Sequence, residues 1–472
     1  MFPSLRSAAT LLALGTPLLL AACGPGRSSG TTTPPIDGPH PVPIQPVHVQ
    51  EELEAANEAL ARAEADGQLS PAECTSVSQA FRDAYHSGVP SSIFGIFNAA
   101  VVLDRCNMPD DAAKTYREVI AKAPEFSPAH NNLGVLQWRS HAAVEAIASF
   151  EIALRHDPKA AAPRNNLAAA LRLRYRQAGN VADFDRAEKV LRGALALDSD
   201  NQLAYENLAR LYYDRGLRGE RSYLLLSDLV ITQGTRILAE QDRASAELHN
   251  LRGLLLMEDG DQIRALRAFQ QATKVDAEHP EAHLNIAMIA LRFRDYATAE
   301  QSLQHALGNE RHRENVVALL GLGVAQRGLR NFDAAEQTLL SAEKLDGADP
   351  RALYNLGILY HEHIAPIRSQ VPKQGGDEGE TEFDGTPFRD AQAYFRRFAA
   401  KAGDRYPTEA ADARDRIANI DQLLEDVTVL AELEAEQARM EAQWRKEQEA
   451  EKQRLKDIER RAREAHEANA GG

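Results

Sequence analysis

The sequence predicts an all-α fold of stacked helix pairs, and three observations support this prediction. Ala, Leu, Glu, Arg and Gln dominate from Glu51 onward, and these residues favour helices. No stretch of alternating β-branched residues is long enough for a strand. A ladder of small and large residues recurs about every 34 residues, and this period is typical of helical-repeat proteins.

The ladder consists of two small residues, one large residue and a third small residue at fixed spacing. In its clearest copy, Gly134 is followed by Ala146, Phe150, Ala153 and Pro158. Further copies are Ala100, Ala112, Tyr116, Val119 and Pro124; Gly253, Ala265, Phe269 and Ala272; Ala287, Ala299, Leu303 and Ala306; and Gly323, Ala335, Leu339 and Ala342. Small residues let two antiparallel helices approach, and the large residue fills the space between them. Because one pair cannot cover its own apolar face, neighbouring pairs are expected to stack into a superhelix.

The copy from Asn132-Leu133-Gly134 through Pro158 resembles the tetratricopeptide repeat (TPR). The resemblance covers roughly residues 90–405 and implies an array of about eight repeats over residues 91–405. Copies that start at Asn166, Asn207 and Asn355 depart from the simple repeat length, and the last of them carries an insertion near residues 365–387. The resemblance implies a scaffold fold and says little about function.

The first 22 residues predict export. An apolar run broken by Pro17 ends in Leu20-Ala21-Ala22-Cys23, which resembles the signal of bacterial lipoproteins. An uncleaved membrane helix is the alternative, but it needs about 20 apolar residues. The resemblance implies a lipid anchor on Cys23 and removal of residues 1–22. The predicted location is the cell envelope, on the outer membrane facing the periplasm, because Gly24 replaces the aspartate that retains some lipoproteins at the inner membrane.

Composition divides the rest of the chain. Residues 23–50 are rich in Pro, Gly, Ser and Thr and predict an extended tether. Residues 51–90 predict a helical cap, and residues 408–470 predict one long charged helix. Its second half, residues 434–467, mixes Glu with Lys and Arg but lacks a sustained heptad seam. A solvated single helix is therefore favoured there over a stable coiled coil.

The cysteines predict a disulfide. If Cys23 is acylated, Cys74 and Cys106 form an even pair in an oxidising compartment. A bridge between them would join the cap to the first repeat. Two buried thiols are the alternative.

Charge and motifs argue against several classes of function. The net charge of −15 repels phosphate backbones, so nucleic acid is not expected as a partner. The chain lacks the Gly-Lys phosphate loop, the Gly-x-Ser-x-Gly elbow and the His-Glu-x-x-His motif. We therefore expect no enzyme activity, no small-molecule substrate, no cofactor and no metal. His361 and His363 are interpreted as solvated residues at a helix end, since alternate residues of a helix do not face one another.

A column of asparagines precedes the small packing residues, and TPR leading helices line a concave groove. In that family, equivalent asparagines often hydrogen-bond the backbone of an extended peptide. Aromatic and cationic residues of the kind that carry interface energy lie nearby. The candidate groove residues are Asn132, Asn166, Asn207, Asn285, Asn355, Trp138, Arg172, Arg210, Tyr213 and Arg327. The alternative is that these asparagines are repeat consensus and serve packing. Lysines that capture a C-terminal carboxylate in the family are missing, so recognition of a free C-terminus is not expected.

These features predict a non-catalytic scaffold whose partners are proteins of the cell envelope and which contacts a membrane through its lipid anchor. Residues 97–102 with Cys106 and residues 323–330 resemble TPR proteins of the gliding-motility envelope complex of myxobacteria. The resemblance implies a role in assembling or stabilising a motility apparatus. Two alternatives stay open: a pilotin-like assembly factor for an outer-membrane secretin, and an adaptor for peptidoglycan hydrolases.

Overall fold

The structure is a computed structural model that describes residues 47–64, 69–310, 312–372 and 381–470, with the side chains of residues 47, 48, 64 and 465–470 left undescribed. The predicted signal peptide, Cys23 and most of the predicted tether lie outside these residues. Within the described part, no helix is both long enough and apolar enough to cross a membrane. The chain divides into two compact units, residues 47–285 and residues 286–470, and the division falls within one helix.

The first unit is built from helices joined by short turns. Its elements are α1 Val47–Glu64, α2 Pro71–Asp83, α3 Ile93–Arg105, α4 Pro109–Lys122, α5 Ser127–Arg139, α6 Ala143–His156, α7 Ala161–Ala178, α8 Val181–Leu197, α9 Gln202–Leu217, α10 Ser222–Ala239, α11 Ala246–Glu258, α12 Gln262–Val275 and the start of α13 Pro280–Arg292. Helices α3 to α12 pack as consecutive hairpins. The predicted all-α helical-repeat fold is confirmed.

The second unit repeats this organisation and ends in a long helix. Its elements are α14 Tyr296–Gly308, α15 Val316–Gly328, α16 Phe332–Leu345, α17 Arg351–Leu359, a π-helical turn Tyr360–Ile364, α18 Ala365–Arg368, β1 Gln370–Pro372, β2 Thr381–Phe383, α19 Thr386–Ala402 and α20 Pro407–Ala470. The core joins Leu356 and Phe395 to Ala413 and Ile420 of α20. The first part of α20 is therefore packed, whereas the side chains from Thr428 to Ala438 are exposed.

Several predicted boundaries differ from the structure. Helix α1 begins at Val47, so the last four residues of the predicted tether are helical. Helix α20 begins at Pro407, because proline is well suited to the first turn of a helix. The insertion near residues 365–387 contains a short antiparallel strand pair, with Val371 opposite Glu382, where no strand was predicted. Strands of three residues are too short to show alternation in a sequence.

Glycines at the ladder positions lie against the large residue of the partner helix. A Cβ added to Gly253 would lie 2.4 Å from Cε1 of Phe269, and one added to Gly134 would lie 2.7 Å from Cε1 of Phe150. In the second unit, a Cβ on Gly357 would lie 2.6 Å from the ring of Phe395. These distances are too short for any side chain, so glycine is required for the helices to approach this closely.

We predict that Gly253→Ala lowers the free energy of unfolding by about 1–3 kcal/mol, because the added methyl group overpacks the α11/α12 contact. Gly193→Ala in α8 is the matched control. Its Cβ meets only the flexible side chain of Arg164, at 3.2 Å, so the change is expected to stabilise by about 0.5–1 kcal/mol. Chemical denaturation of both variants tests this pair. A Gly253→Ala protein as stable as the Gly193→Ala protein would contradict the packing account.

Candidate ligand-binding pocket on the leading helices

One pocket in the first unit is lined by the leading helices of consecutive repeats. Its side chains come from α7, α9, α11 and the start of α13. The lining residues are Arg172, Arg210, Tyr213, Asp214, Glu247, Asn250, Leu251, Leu254, Glu281, Leu284 and Asn285. The space within this lining is about 490 Å³, a figure that includes open solvent.

Arg172 is the most deeply buried cation of the pocket, at 3% exposure. Its Nη1 lies 3.1 Å from Oδ2 of Asp214, which is also buried. Within the described part of the chain, neither Nε nor Nη2 of Arg172 has a hydrogen-bond partner. Burial lowers the pKa of Arg172 to about 10, so the guanidinium keeps its charge at neutral pH. Nε and Nη2 of Arg172 are therefore two buried donors that a ligand in the pocket can use.

Tyr213 adds a third available donor. The residue is 2% exposed, and among the described residues its hydroxyl has no hydrogen-bond partner. Burial raises the pKa of Tyr213, which keeps the hydroxyl protonated and able to donate. Leu251, Leu254 and Leu284 supply the apolar part of the lining. The pocket therefore combines buried donors with an apolar surface.

A second buried ion pair lies beside the first. Arg210 donates from Nε to Oε1 of Glu247 at 2.5 Å, and Nε2 of His279 lies 3.3 Å from Oε2 of the same carboxylate. Burial disfavours the ionised form of Glu247, but Arg210 and His279 outweigh it and lower the pKa to about 2. For His279, burial opposes the charged form, and the hydrogen bond and charge of Glu247 raise the pKa nevertheless. The pair thus fixes α9, α11 and the turn before α13 together.

The pKa of Glu206 on α9 shifts in the opposite direction from that of Glu247. It is buried and accepts hydrogen bonds from Ser245 at 2.6 Å and from Gln202 at 2.8 Å. Burial raises its pKa in spite of these bonds. Glu206 therefore differs from Glu247 because no cation is hydrogen-bonded to it.

Two members of the predicted asparagine column bond to the preceding leading helix. Nδ2 of Asn166 donates to Oδ1 of Asn131, and Nδ2 of Asn285 donates to Oδ1 of Asn250, both at 2.9 Å. All four residues are buried. These side-chain amides connect successive repeats, as expected if the asparagines serve packing. Ligand binding by the column stays a prediction, and Asn285 also lines the pocket.

The remaining candidates occupy separate places. Asn132 donates to the hydroxyl of Tyr116 at 3.1 Å, and Asn355 donates to the carbonyl of Arg351 at 2.9 Å. Asn207 is buried in α9, and Trp138 packs half-buried against the core of the first unit. Arg327 belongs to the second unit, where burial lowers its pKa. Of the predicted groove residues, the pocket brings together Arg172, Arg210, Tyr213 and Asn285.

His361 and His363 lie in the π-helical turn of the second unit and are less solvated than predicted. The ring of His363 stacks on Phe332 with centroids 4.7 Å apart, and Nδ1 of His361 lies 3.2 Å from Nη1 of Arg416. Burial lowers the pKa of both histidines. Across the described ranges, no group of three or more His, Cys, Asp or Glu side chains is arranged to hold a metal ion.

Cys74 and Cys106 are joined by a disulfide in the first unit, with the Cα atoms 6.2 Å apart. Cys74 lies in α2, and Cys106 directly follows α3. The bridge therefore links the cap helices to the leading helix of the first hairpin.

The model of the tetratricopeptide repeat matches residues 107–161, 250–314 and 320–363. Comparison with curated proteins gives no match. Among solved structures, the chain is similar to a tetratricopeptide repeat protein of Parabacteroides merdae ATCC 43184. The identity is 14%, 60% of this chain and 100% of that chain are covered, and the TM-score is 0.45.

Two other similar structures are pilF of Pseudomonas aeruginosa and a thermophilic TPR protein of Thermus thermophilus. The first is 18% identical, covers 48% of this chain and 96% of that chain, and has a TM-score of 0.38. The second is 17% identical, covers 42% of this chain and 99% of that chain, and has a TM-score of 0.35. Values in this range indicate nothing about partners or activity. The repeat model matches three segments of this all-α helical-repeat fold, so the chain contains tetratricopeptide repeats in those segments.

Proposed function

We propose that this chain is a non-catalytic scaffold that binds a segment of another protein in the pocket between α7 and α13. The observation that carries this proposal is the set of buried donors without partners, Nε and Nη2 of Arg172 and the hydroxyl of Tyr213. A buried polar group left unsatisfied costs about 1–3 kcal/mol. A ligand that supplies acceptor oxygens recovers this free energy when it binds.

The chemistry of the lining favours a peptide over other ligands. Arg172 and Arg210 are each paired with a carboxylate, so the pocket has no large excess of positive charge to attract a phosphate. Main-chain carbonyl oxygens are neutral acceptors that suit the available donors. Leu251 and Leu254 offer apolar surface to a side chain of the same segment. Tetratricopeptide repeats imply a scaffold for protein–protein interaction, and this pocket is a place where such binding fits.

The Tyr213→Phe variant tests partner binding without a loss of stability. Removing a buried hydroxyl without a partner is expected to leave the protein as stable as before or more stable, by up to about 1 kcal/mol. Binding of a partner is expected to weaken about tenfold, equivalent to about 1.4 kcal/mol. The measurement is calorimetric titration of the partner, identified beforehand by crosslinking and affinity purification from the envelope fraction. Partner affinity that is unchanged in Tyr213→Phe would contradict the proposal.

Arg172→Lys is the companion variant. Lysine retains a charge for Asp214 but lacks the planar set of Nε and Nη donors, so partner affinity is expected to fall at least tenfold. Arg155→Lys, at an exposed arginine on the trailing helix α6, is the matched control and should bind normally. If both arginine variants lose affinity equally, the effect is not specific to Arg172 and the pocket is not the site.

The finer proposal is that this scaffold is a lipid-anchored envelope protein on the outer membrane, facing the periplasm, and that it serves a trans-envelope machine such as the gliding-motility apparatus. It is supported by the residues ending in Cys23 and by the motility-type segments at residues 97–102 and 323–330. The identity of the crosslinked partner separates this role from the alternatives. Motility subunits support it, whereas a secretin or a wall hydrolase would replace it.

The anchor has its own test. Cys23→Ser is expected to move the protein from the membrane fraction to the soluble envelope fraction, because acyl chains provide the attachment. Incorporation of radiolabelled palmitate measures the modification directly. Label that still enters the Cys23→Ser protein would refute the anchor and leave the pocket proposal untouched.

A further inference from the structure

The second part of α20 carries a stripe of exposed apolar side chains. Its members are more than half exposed, and Trp444 is the most exposed at 63%. They are Leu430, Leu433, Met440, Trp444, Leu455 and Ile458. At about 100° of rotation per residue, all six project within about 40° of the direction of Trp444. A single helix surrounded by solvent is expected to be polar on every face, so an apolar face of this length indicates a binding partner.

Four members of the stripe are placed symmetrically about Trp444, whereas the position that matches Met440 is Gln448. Leu430 and Ile458 each lie fourteen residues from it, and Leu433 and Leu455 each lie eleven residues from it. If the polar residues Gln437, Gln448 and Glu451 are counted, the positions of this face are spaced three and four residues apart on both sides, with one extra residue at Trp444. No continuous heptad seam appears for this reason. When two such helices run antiparallel with their tryptophans opposed, Leu430 of one meets Ile458 of the other, and Leu433 meets Leu455.

The charges on either side of Trp444 differ in sign. Residues 425–443 contain six acidic and one basic residue, and residues 445–463 contain eight basic and five acidic residues. An antiparallel pair places the acidic half of one helix beside the basic half of the other. A parallel pair in register places acidic on acidic and is repulsive.

The flanks of the stripe show the same complementarity at single residues. Glu434 and Lys452 both project about 80° from Trp444 on one side, and Glu436 and Arg454 do so on the other side. In the antiparallel pair each glutamate lies beside the basic residue of the partner helix. Charged pairs at such flanking positions select the partner and its orientation.

We infer that two copies of this chain associate through α20 as an antiparallel helix pair centred on Trp444. The occupant of the apolar stripe is thus a second copy of the same helix. Gln437, Gln448 and Glu451 interrupt the stripe. The pair is therefore expected to be reversible and to depend on protein concentration. This inference concerns the second unit alone and stands independently of the pocket proposal.

Analytical ultracentrifugation of the purified full chain tests the association. We expect a monomer–dimer equilibrium whose dissociation constant rises at least tenfold in Trp444→Ala. A chain that is monomeric at every concentration would overturn the inference. Self-association that Trp444→Ala leaves unchanged would overturn it as well, since another surface would then be responsible.

Charge reversal with rescue tests the register. Glu434→Lys with Glu436→Lys is expected to weaken the dimer at least tenfold, and adding Lys452→Glu with Arg454→Glu in the same chain is expected to restore it. Lys446→Glu, at a position that projects about 160° from Trp444, is the matched control and should leave the dimer unchanged. If the chain with all four replacements dimerises as weakly as the chain with two, the antiparallel pairing is contradicted.

Cysteine crosslinking tests the orientation. Trp444→Cys is expected to form an intermolecular disulfide with itself. Leu430→Cys alone should not do so, but a mixture of Leu430→Cys and Ile458→Cys chains should. The unmodified chain controls for its own cysteines. Efficient crosslinking of Leu430→Cys to itself would indicate a parallel pair and would refute the inference.

Discussion

Replacing Glu247 by glutamine is expected to lower the free energy of unfolding of the first unit by about 3–5 kcal/mol. The change leaves the buried guanidinium of Arg210 without its carboxylate and removes the charged acceptor of His279. An uncompensated buried charge is among the costliest changes that a fold can undergo. Chemical denaturation measures the loss, and hydrogen exchange should locate it in α9 and α11.

The control for Glu247→Gln is Glu240→Gln, whose carboxylate lies 3.8 Å from Arg236 with both side chains exposed. Exposed pairs contribute little, so this change is expected to cost less than about 1 kcal/mol. Similar losses from the two variants would show that the buried pair has no special role. A double replacement, Arg210→Met with Glu247→Leu, should cost less than the single change, because no buried charge is left alone.

The effect of Glu247 also depends on pH in a defined direction. Its pKa falls from an ordinary value of 4.5 to about 2 in the folded protein. A carboxylate with a lowered pKa stabilises the fold above pH 4.5, and this contribution is lost as the pH falls toward 2. The difference in stability between the unmodified chain and Glu247→Gln should therefore shrink over this interval. A difference that stays constant would contradict the ion pair.

Loss of the disulfide is expected to have a comparable effect. The residues of the bridge are 32 apart in sequence, so opening it frees a loop whose closure is worth about 3–4 kcal/mol. Cys74→Ala with Cys106→Ala should destabilise α1 and α2 relative to α3. Thermal unfolding with and without reducing agent measures this.

The double variant serves as the control, because reducing agent should no longer affect it. Alkylation of the unreduced protein is expected to find neither Cys74 nor Cys106 reactive. Two reactive thiols and an unchanged melting temperature on reduction would remove the disulfide from the account.

Much of the fold is predictable from the ladder of small and large residues. Gly134, Gly253 and Gly323 were predicted as packing positions, and a Cβ at each would lie within 2.7 Å of the partner helix. The reason is that close approach of two helices accepts only glycine or alanine at this position, so the pattern is visible in the sequence. Element boundaries depend on weaker preferences. The start of α1 at Val47 follows a Pro-rich segment, and composition alone placed it four residues late.

The site was predictable in part. Arg172, Arg210 and Tyr213 are predicted groove residues because cations and aromatic side chains often carry interface energy, and the structure places all three in one pocket. Their partners Asp214 and Glu247 were missed, because an acidic residue on a helix usually faces solvent. Asp214 and Glu247 are buried because separate repeats stack on one another. The sequence pattern within a single helix does not predict this stacking. The signal that was available is a cation on one leading helix followed by an acidic residue on the next, as in Arg172 with Asp214.

The central claim is that the leading-helix pocket binds a segment of a partner protein, and site-specific photocrosslinking in living cells tests it most directly. A benzophenone amino acid is placed at Leu254 in the pocket and, as a control, at the exposed Leu225 of α10. The account predicts a defined crosslinked partner from position 254 that disappears when Arg172→Lys is added, and none of this partner from position 225. Equal crosslinking from both positions, or crosslinking that ignores Arg172→Lys, would contradict it.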